Sequence, residues 1–198
     1  MKKSKYLKYY FFCDEINNEI INKIHKMKNI VFVLNINDKN TNDLNNKISI
    51  VQFLRRKKIQ FLLYNNFQKC IKYQANGVFL DSKNKSILRP MLLKKKFSVI
   101  GAAHNQLEYI YKSKQSCQEV MLSPIFENSK YSPNKILNII KFNNISNHWK
   151  EKIIALGGLN LKNINKIQMT KVGGIGFKRF LKDLRKSPIY KNGRFPSN

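Results

Sequence analysis

Acidic residues are scarce in this chain. It carries 11 Asp and Glu against 38 Lys and Arg in 198 residues, a formal net charge of +27. The basic residues are spread over nearly every predicted helix and loop, and the chain is also crowded with Asn and Ile. Three readings of the charge stay open: compositional drift, a phosphorylated small substrate, and dedicated nucleic-acid binding. The last predicts one basic face with aromatics among the cations, and the scattered charge argues against it, beyond nonspecific polyanion binding. A homo-oligomer is left open.

Cysteine is sparse too. Cys13, Cys70 and Cys117 are odd in number, widely spaced and without a CxxC pair, which excludes a disulfide framework and a zinc site. They read as small buried hydrophobes. No apolar run is long enough to span a bilayer. The opening MKKSKYLKYYFFCD turns from basic to aromatic, but Cys13 and Asp14 close the run before a signal-peptide core could form. That stretch reads as a first strand, with a cytoplasmic protein expected. Hydrophobic residues at 42% exclude disorder, and no linker or repeat divides a length suited to one domain.

What is present is an alternation. Apolar runs at Tyr6–Cys13, Asn29–Ile36, Ile59–Asn65, Gly77–Asp81, Phe97–Ala103, Val120–Ile125, Ile153–Gly157 and Val172–Gly176 read as strands. Helical spacing is predicted between them at Glu15–Lys28, Asp43–Arg56, Gln68–Tyr73, Ile87–Lys95, Gln106–Lys114, Ile136–Phe142 (continuing loosely to Trp149), Leu161–Met169 and Phe180–Leu184. Eight strand–helix units predict a parallel sheet closed as a (β/α)₈ barrel of near-minimal length. The barrel is expected over residues 1–185, with 186–198 a disordered basic tail.

Two of these strands stop at paired glycines, in IIALGGLN and VGGIGFK. Glycine lets backbone N–H groups come close to a ligand, and a following helix start favours an anion. Barrels build phosphate sites from the loops after their last two strands. The competing explanation is glycine for tight packing alone.

Five segments in order, ANGVFLD, FSVIGAAH, VMLSPIFENSK, IIALGGLN and VGGIGF, resemble the thiamine phosphate synthase/TenI family. The family's counterparts read roughly ADGVHLGQ, IGVSxHS, YVxxGPVFxTxTK, VVAIGGI and GVAVVSAI. The resemblance implies a TIM barrel with its site at the C-terminal strand ends. Synthases of the family join a pyrimidine methyl diphosphate to a thiazole phosphate with Mg²⁺ assisting. TenI-type members share the fold, and some isomerise a thiazole carboxylate phosphate.

By that resemblance, Gly157, Gly158, Gly174 and Gly176 fall on the thiazole phosphate loops, and Asn128, Ser129 and Lys130 on a diphosphate loop. Lys178 and Arg179 could neutralise the same phosphate or be plain surface cations. His104 matches a histidine that moves protons in TenI-type isomerases; the alternative is a histidine at a helix start making a local hydrogen bond. Asn65 keeps the first position of an Asn-Asp pair, while Asn66 replaces its magnesium carboxylate. Asn84 stands near the second carboxylate position, and Asp81 is a displaced metal candidate. The early QLRxK motif is missing, with Asn35 and Asn37 in its place. The VQFLRRKK run at 51–58 lies at a helix end and reads as a solvated basic face. A phosphorylated thiazole is therefore the expected substrate, with the pyrimidine diphosphate and Mg²⁺ doubtful. A synthase, a TenI-like tautomerase and a noncatalytic binder all remain open.

Overall fold

The computed structural model describes residues 7–13, 29–36, 41–87, 97–128, 131–160 and 162–178. Eight parallel strands close on one another in sequence order. They are β1 (Lys8–Cys13), β2 (Ile30–Leu34), β3 (Gln60–Tyr64), β4 (Gly77–Leu80), β5 (Ser98–Ala103), β6 (Glu119–Leu122), β7 (Lys152–Leu156) and β8 (Gly174–Phe177). Closure comes from β8 pairing with β1, Gly174 beside Lys8 and Phe177 beside Phe11. The described α-helices are α1 (Thr41–Arg56), α2 (Phe67–Lys72), α3 (Gln106–Lys114) and α4 (Asn138–Ser146). The (β/α)₈ expectation holds. The predicted helices at 15–28 and 180–184, almost all of that at 87–95, and the tail from 186 lie outside the described residues.

The strands are buried on both faces, which is why they read as continuous apolar runs. Side chains alternate across the sheet, so Phe11 joins the layer between strands and helices while Tyr10 points into the barrel. The interior is filled by residues such as Val33, Leu62, Phe79, Ile100, Met121 and Ile154. Burying each large one stabilises the fold by about 2 kcal/mol.

On β8 both inward positions are glycine. A methyl at Gly174 would sit 3.2 Å from the Tyr10 ring, and one at Gly176 would sit 2.8 Å from Leu156 Cδ1. Larger neighbours thus fill the space that β8 leaves. The Tyr10 hydroxyl donates to Glu119 Oε2 at the N-terminal end of the barrel. Glu119 also takes Lys8 Nζ at 2.9 Å and Lys152 Nζ at 3.4 Å. Burial alone would raise the Glu119 pKa, but the Tyr10 and Lys8 hydrogen bonds and the two lysine charges outweigh it and hold the carboxyl below its ordinary range. Burial, together with the Glu119 charge and hydrogen bond, raises the Tyr10 phenol far above its ordinary value. This cluster ties β1, β6 and β7 together at the end opposite the strand C-termini, where barrels keep groups that stabilise rather than react.

Some element bounds differ from expectation. The last strand begins at Gly174, not Val172, because pairing to Lys8 and Ile154 starts there. The sixth ends at Leu122, before Pro124, which has no N–H to give a ladder. Residues 164–169 form a 3₁₀ helix instead of the predicted α-helix. α4 covers Asn138–Ser146, so it starts later than the expected Ile136 and runs into the predicted loose continuation without reaching Trp149. All three cysteines are buried, and burial pushes the Cys70 and Cys117 thiols up to about 12.

Candidate functional site

The C-terminal strand ends form a mouth with two differently built sides. On the β6–β8 side, β7 runs into Gly157 and Gly158, with φ of 91° and 72°. Such angles favour glycine, and space demands it as well. A methyl on Gly158 would lie 2.3 Å from the Phe126 carbonyl oxygen, and one on Gly157 2.9 Å from Pro124 Cα. The turn is held against the loop after β6 by Ile125 N–H donating to Leu156 O and Phe126 N–H to Gly157 O, both at 3.1 Å. Asn163 Nδ2 donates to Gly158 O at 2.8 Å. The N–H groups of Gly158 and Leu159 have no acceptor among the described residues.

These amides border a cleft of about 250 Å³ lined by residues including Ser123, Asn128, Tyr131, Gly176 and Lys178. Glu127 is its one acidic lining residue among the described residues. The Lys178 ammonium lies 5.2 Å from the centre of the Phe12 ring, which holds a cation over the barrel mouth. Backbone donors and one ammonium around a concave space suit an anionic group.

His104 stands one residue beyond β5. Asn105 caps α3 by accepting Glu108 N–H at 3.0 Å, and Glu108 reaches back to the His104 N–H at 2.7 Å. This is a capping box displaced by one residue. The same Glu108 oxygen is 2.8 Å from His104 Nδ1. A carboxylate only accepts, so Nδ1 bears the hydrogen. Nε2 faces the Tyr131 hydroxyl at 2.9 Å, and in the neutral imidazole it is the acceptor of that contact. Burial, and next the Glu108 charge, raise the Tyr131 phenol pKa. α3 itself is steadied from outside: Trp149 stacks on Tyr109 with centroids 4.1 Å apart and donates to Gln106 at 2.9 Å.

The β3–β4 side is knit by side chains. Asn65, at φ 49°, accepts Asp81 N–H at 3.1 Å and Asn84 Nδ2 at 3.3 Å. Asp81 accepts the Tyr64 hydroxyl on one oxygen at 3.0 Å and Asn84 N–H on the other at 2.8 Å. Behind them Lys112 and Gln115 are fully buried. Lys112 Nζ donates to Asn84 O at 2.8 Å and to Gln115 Oε1 at 2.9 Å. Gln115 Nε2 holds Asn84 O at 3.0 Å and Ser86 O at 2.8 Å.

Among the expected site residues, Asn128, Gly157, Gly158 and Gly176 meet at the cleft. His104 approaches it through Tyr131. Gly174 does not belong there: it begins β8, beside Lys8 and under Tyr10, so its glycine serves packing inside the barrel. Ser129, Lys130, Asn37 and Arg179 lie outside the described residues. Asn65 and Asp81 face each other in the β3–β4 network, away from the glycine turn. The described residues do not suit Mg²⁺, which favours several carboxylate oxygens. Asp81 already has a donor on each oxygen, and Asn66 Oδ1 caps α2 by accepting Lys69 N–H at 2.8 Å. No group of three His, Cys, Asp or Glu capable of holding a metal occurs among the described residues.

Residues 10–179 match the family TMP-TENI, thiamine monophosphate synthase. The chain belongs to this family. It is 24% identical over 119 residues to the thiamine-phosphate synthase of Clostridium acetobutylicum, a match spanning 60% of this chain and 56% of that protein. The fold resembles the thiamine phosphate pyrophosphorylase of Pyrococcus furiosus, with TM-score 0.71, 16% identity, and 91% and 94% of the two chains covered. The corresponding enzyme of Bacteroides thetaiotaomicron gives TM-score 0.60 at 16% identity, covering 96% and 90%. No helix among the described residues is long and apolar enough to cross a membrane.

The glycine turns were legible in the sequence. Tyr131 and Glu108 were missed. Glu108 had a signal, since Asn-x-x-Glu ahead of an apolar-periodic run is a capping pattern. Tyr131 had none, because its contact joins two loops 27 residues apart.

Proposed function

We propose that this member of the thiamine monophosphate synthase family binds a thiazole phosphate in the β6–β8 cleft and moves a proton on it, as a TenI-like isomerase does. One observation carries the reading: the Gly158 and Leu159 amides and Lys178 border the same cleft as Tyr131, which is hydrogen-bonded to His104. The amides and the ammonium would take the phosphate oxygens, each a charge-assisted bond stronger than its neutral counterpart. In its neutral form the imidazole offers Nε2 as an acceptor and can receive and return a proton. Nothing in this scheme uses a metal.

Synthase activity, the condensation of thiazole phosphate with the pyrimidine diphosphate, is the second reading. It is favoured by the name of the Clostridium relative and by the two pyrophosphorylases that share the fold. Against it stand the engaged oxygens of Asp81 and the capping role of Asn66, which leave no carboxylate set suited to Mg²⁺ among the described residues.

Thermal unfolding with thiazole phosphate and with the pyrimidine diphosphate, each with Mg²⁺ and with EDTA, separates the readings. The expected result is stabilisation by thiazole phosphate alone, unchanged by EDTA. Stabilisation by the diphosphate that requires Mg²⁺ would restore the synthase. A flat response to both ligands would sink both.

A further inference from the structure

We infer that Tyr131, not His104, is the residue that meets the ligand's mobile proton, with His104 and Glu108 standing behind it as a relay. The inference rests on the proposed binding of a thiazole phosphate in the β6–β8 cleft and assigns that site its proton-handling atom. The geometry has three parts. Tyr131 lines the cleft beside Gly157, Gly158 and Lys178, whereas His104 is not among the lining residues. Both ring nitrogens of His104 are engaged, Nδ1 by Glu108 at 2.8 Å and Nε2 by the Tyr131 hydroxyl at 2.9 Å. For His104 to touch a ligand directly, it would have to give up the Tyr131 bond.

With the imidazole in its neutral form, the chain Glu108–His104–Tyr131 has one polarity. Glu108 accepts from Nδ1–H, which leaves Nε2 as the acceptor of the tyrosine proton. When a ligand atom in the cleft gives a proton to the Tyr131 oxygen, the phenolic proton passes to Nε2. The imidazolium formed is stabilised by the carboxylate beside it. Reversal sends a proton back through Tyr131 to a different ligand atom, where the ligand's electron pair has shifted. One proton leaves and one returns, so the isomerisation needs no oxidant, reductant or co-reactant. Tyr131 is shielded and stands near the Glu108 charge, so its phenol is held in the protonated form. A group that passes protons in concert suits such a site better than one that must persist as phenolate.

The test compares Tyr131→Phe, His104→Ala and the wild type. Affinity for thiazole phosphate is measured by titration calorimetry, and isomerisation of thiazole carboxylate phosphate is followed by NMR. Tyr131→Phe keeps the ring and its packing and removes only the hydroxyl. Its affinity is expected within about threefold of wild type, and its turnover is expected to fall by about 10²-fold or more, as far as that of His104→Ala. In parallel, ¹⁵N NMR of the imidazole should show hydrogen on Nδ1 in both the wild type and Tyr131→Phe, with the Nε2 resonance moved in the variant by loss of its donor. Near-normal turnover in Tyr131→Phe alongside an inactive His104→Ala would overturn the inference and return the contact to His104. So would an Nε2-protonated tautomer, or wild type that binds thiazole phosphate without turning the carboxylate over. Failure of the wild type to bind thiazole phosphate at all would overturn the binding reading instead.

Discussion

The two sides of the barrel mouth use opposite materials. At the ends of β6, β7 and β8 a glycine turn presses on the loop after β6, the Gly158 and Leu159 amides have no acceptor among the described residues, and one lysine stands beside the cleft. At the ends of β3 and β4, side chains are spent on their own loop, with Asn65, Asp81 and Asn84 bonded to one another, Tyr64 donating to Asp81, and Lys112 and Gln115 buried underneath. Groups that bind a ligand must hold donors in reserve, and groups that fix a loop must not. The contrast fits the proposed ligand recognition on the glycine side, with the other side holding its own loop together.

The largest effect should come from Gly158→Ala. Its methyl would meet a backbone carbonyl at 2.3 Å, and its φ of 72° disfavours any side chain. The left-handed angle costs about 1–2 kcal/mol and the overlap about as much again, so a loss of roughly 3 kcal/mol is expected by denaturant unfolding. Thiazole phosphate affinity should fall with it. Gly174→Ala sharpens the point: it should also destabilise, through Lys8 O at 2.8 Å and the Tyr10 ring, but the folded fraction should bind as the wild type does. Equal loss of affinity per folded molecule in the two variants would remove the distinction between them.

Next in size is Lys178→Ala. The lysine lines the cleft and its ammonium lies near the Phe12 ring, at an exposed position where solvent weakens its pull. Affinity for thiazole phosphate should drop about tenfold, with stability nearly unchanged. Calorimetry at two salt concentrations checks the charge, since the wild type should lose more affinity to added salt than the variant.

Much of this architecture was legible in the chain because strands buried on both faces must be apolar throughout, and all eight such runs form strands of the barrel. The slips occur where apolar composition outlasts backbone pairing. Val172 continues a run that pairs only from Gly174, and the helical spacing expected from Leu161 gives a 3₁₀ helix over Ile164–Met169. In the site, paired glycine was a true sign of a positive-φ turn at Gly157 and Gly158, yet the same sign at Gly174 reflected room for Tyr10. Local sequence cannot separate a glycine that admits a ligand from one that admits a neighbour. Nor could it supply the His104–Tyr131 contact, which exists only once two strands lie side by side.

A smaller effect is expected on the side-chain-built side. Asp81→Asn keeps one acceptor, for the Asn84 N–H, and turns the other oxygen into an Nδ2 donor that the Tyr64 hydroxyl must then accept, so stability should fall by about 1 kcal/mol. Neither it nor EDTA should alter thiazole phosphate affinity. An affinity that drops in EDTA for the wild type, and no longer responds in Asp81→Asn, would make this side a metal site after all.

The smallest expected effect concerns Lys112, and its sign follows from burial. Removal from water is the largest influence on this ammonium and lowers its pKa, with the charges of Cys117, Asp81 and Glu108 opposing in part. Between the lowered value and the ordinary 10.5, the unfolded chain therefore holds a proton that the folded chain has released. Stability must rise with pH across that window. Lys112→Met removes both the buried charge and its bonds to Asn84 O and Gln115 Oε1, two changes of opposite sign, so the net effect at neutral pH should stay within about 1 kcal/mol. The difference should then shift toward the wild type as pH climbs toward 10.5, read as the gap between the two melting temperatures. A gap that stays constant with pH would mean Lys112 keeps an ordinary affinity for its proton. In that case it serves the Asn84 loop as a cation, and the β3–β4 side would hold a buried positive charge of its own.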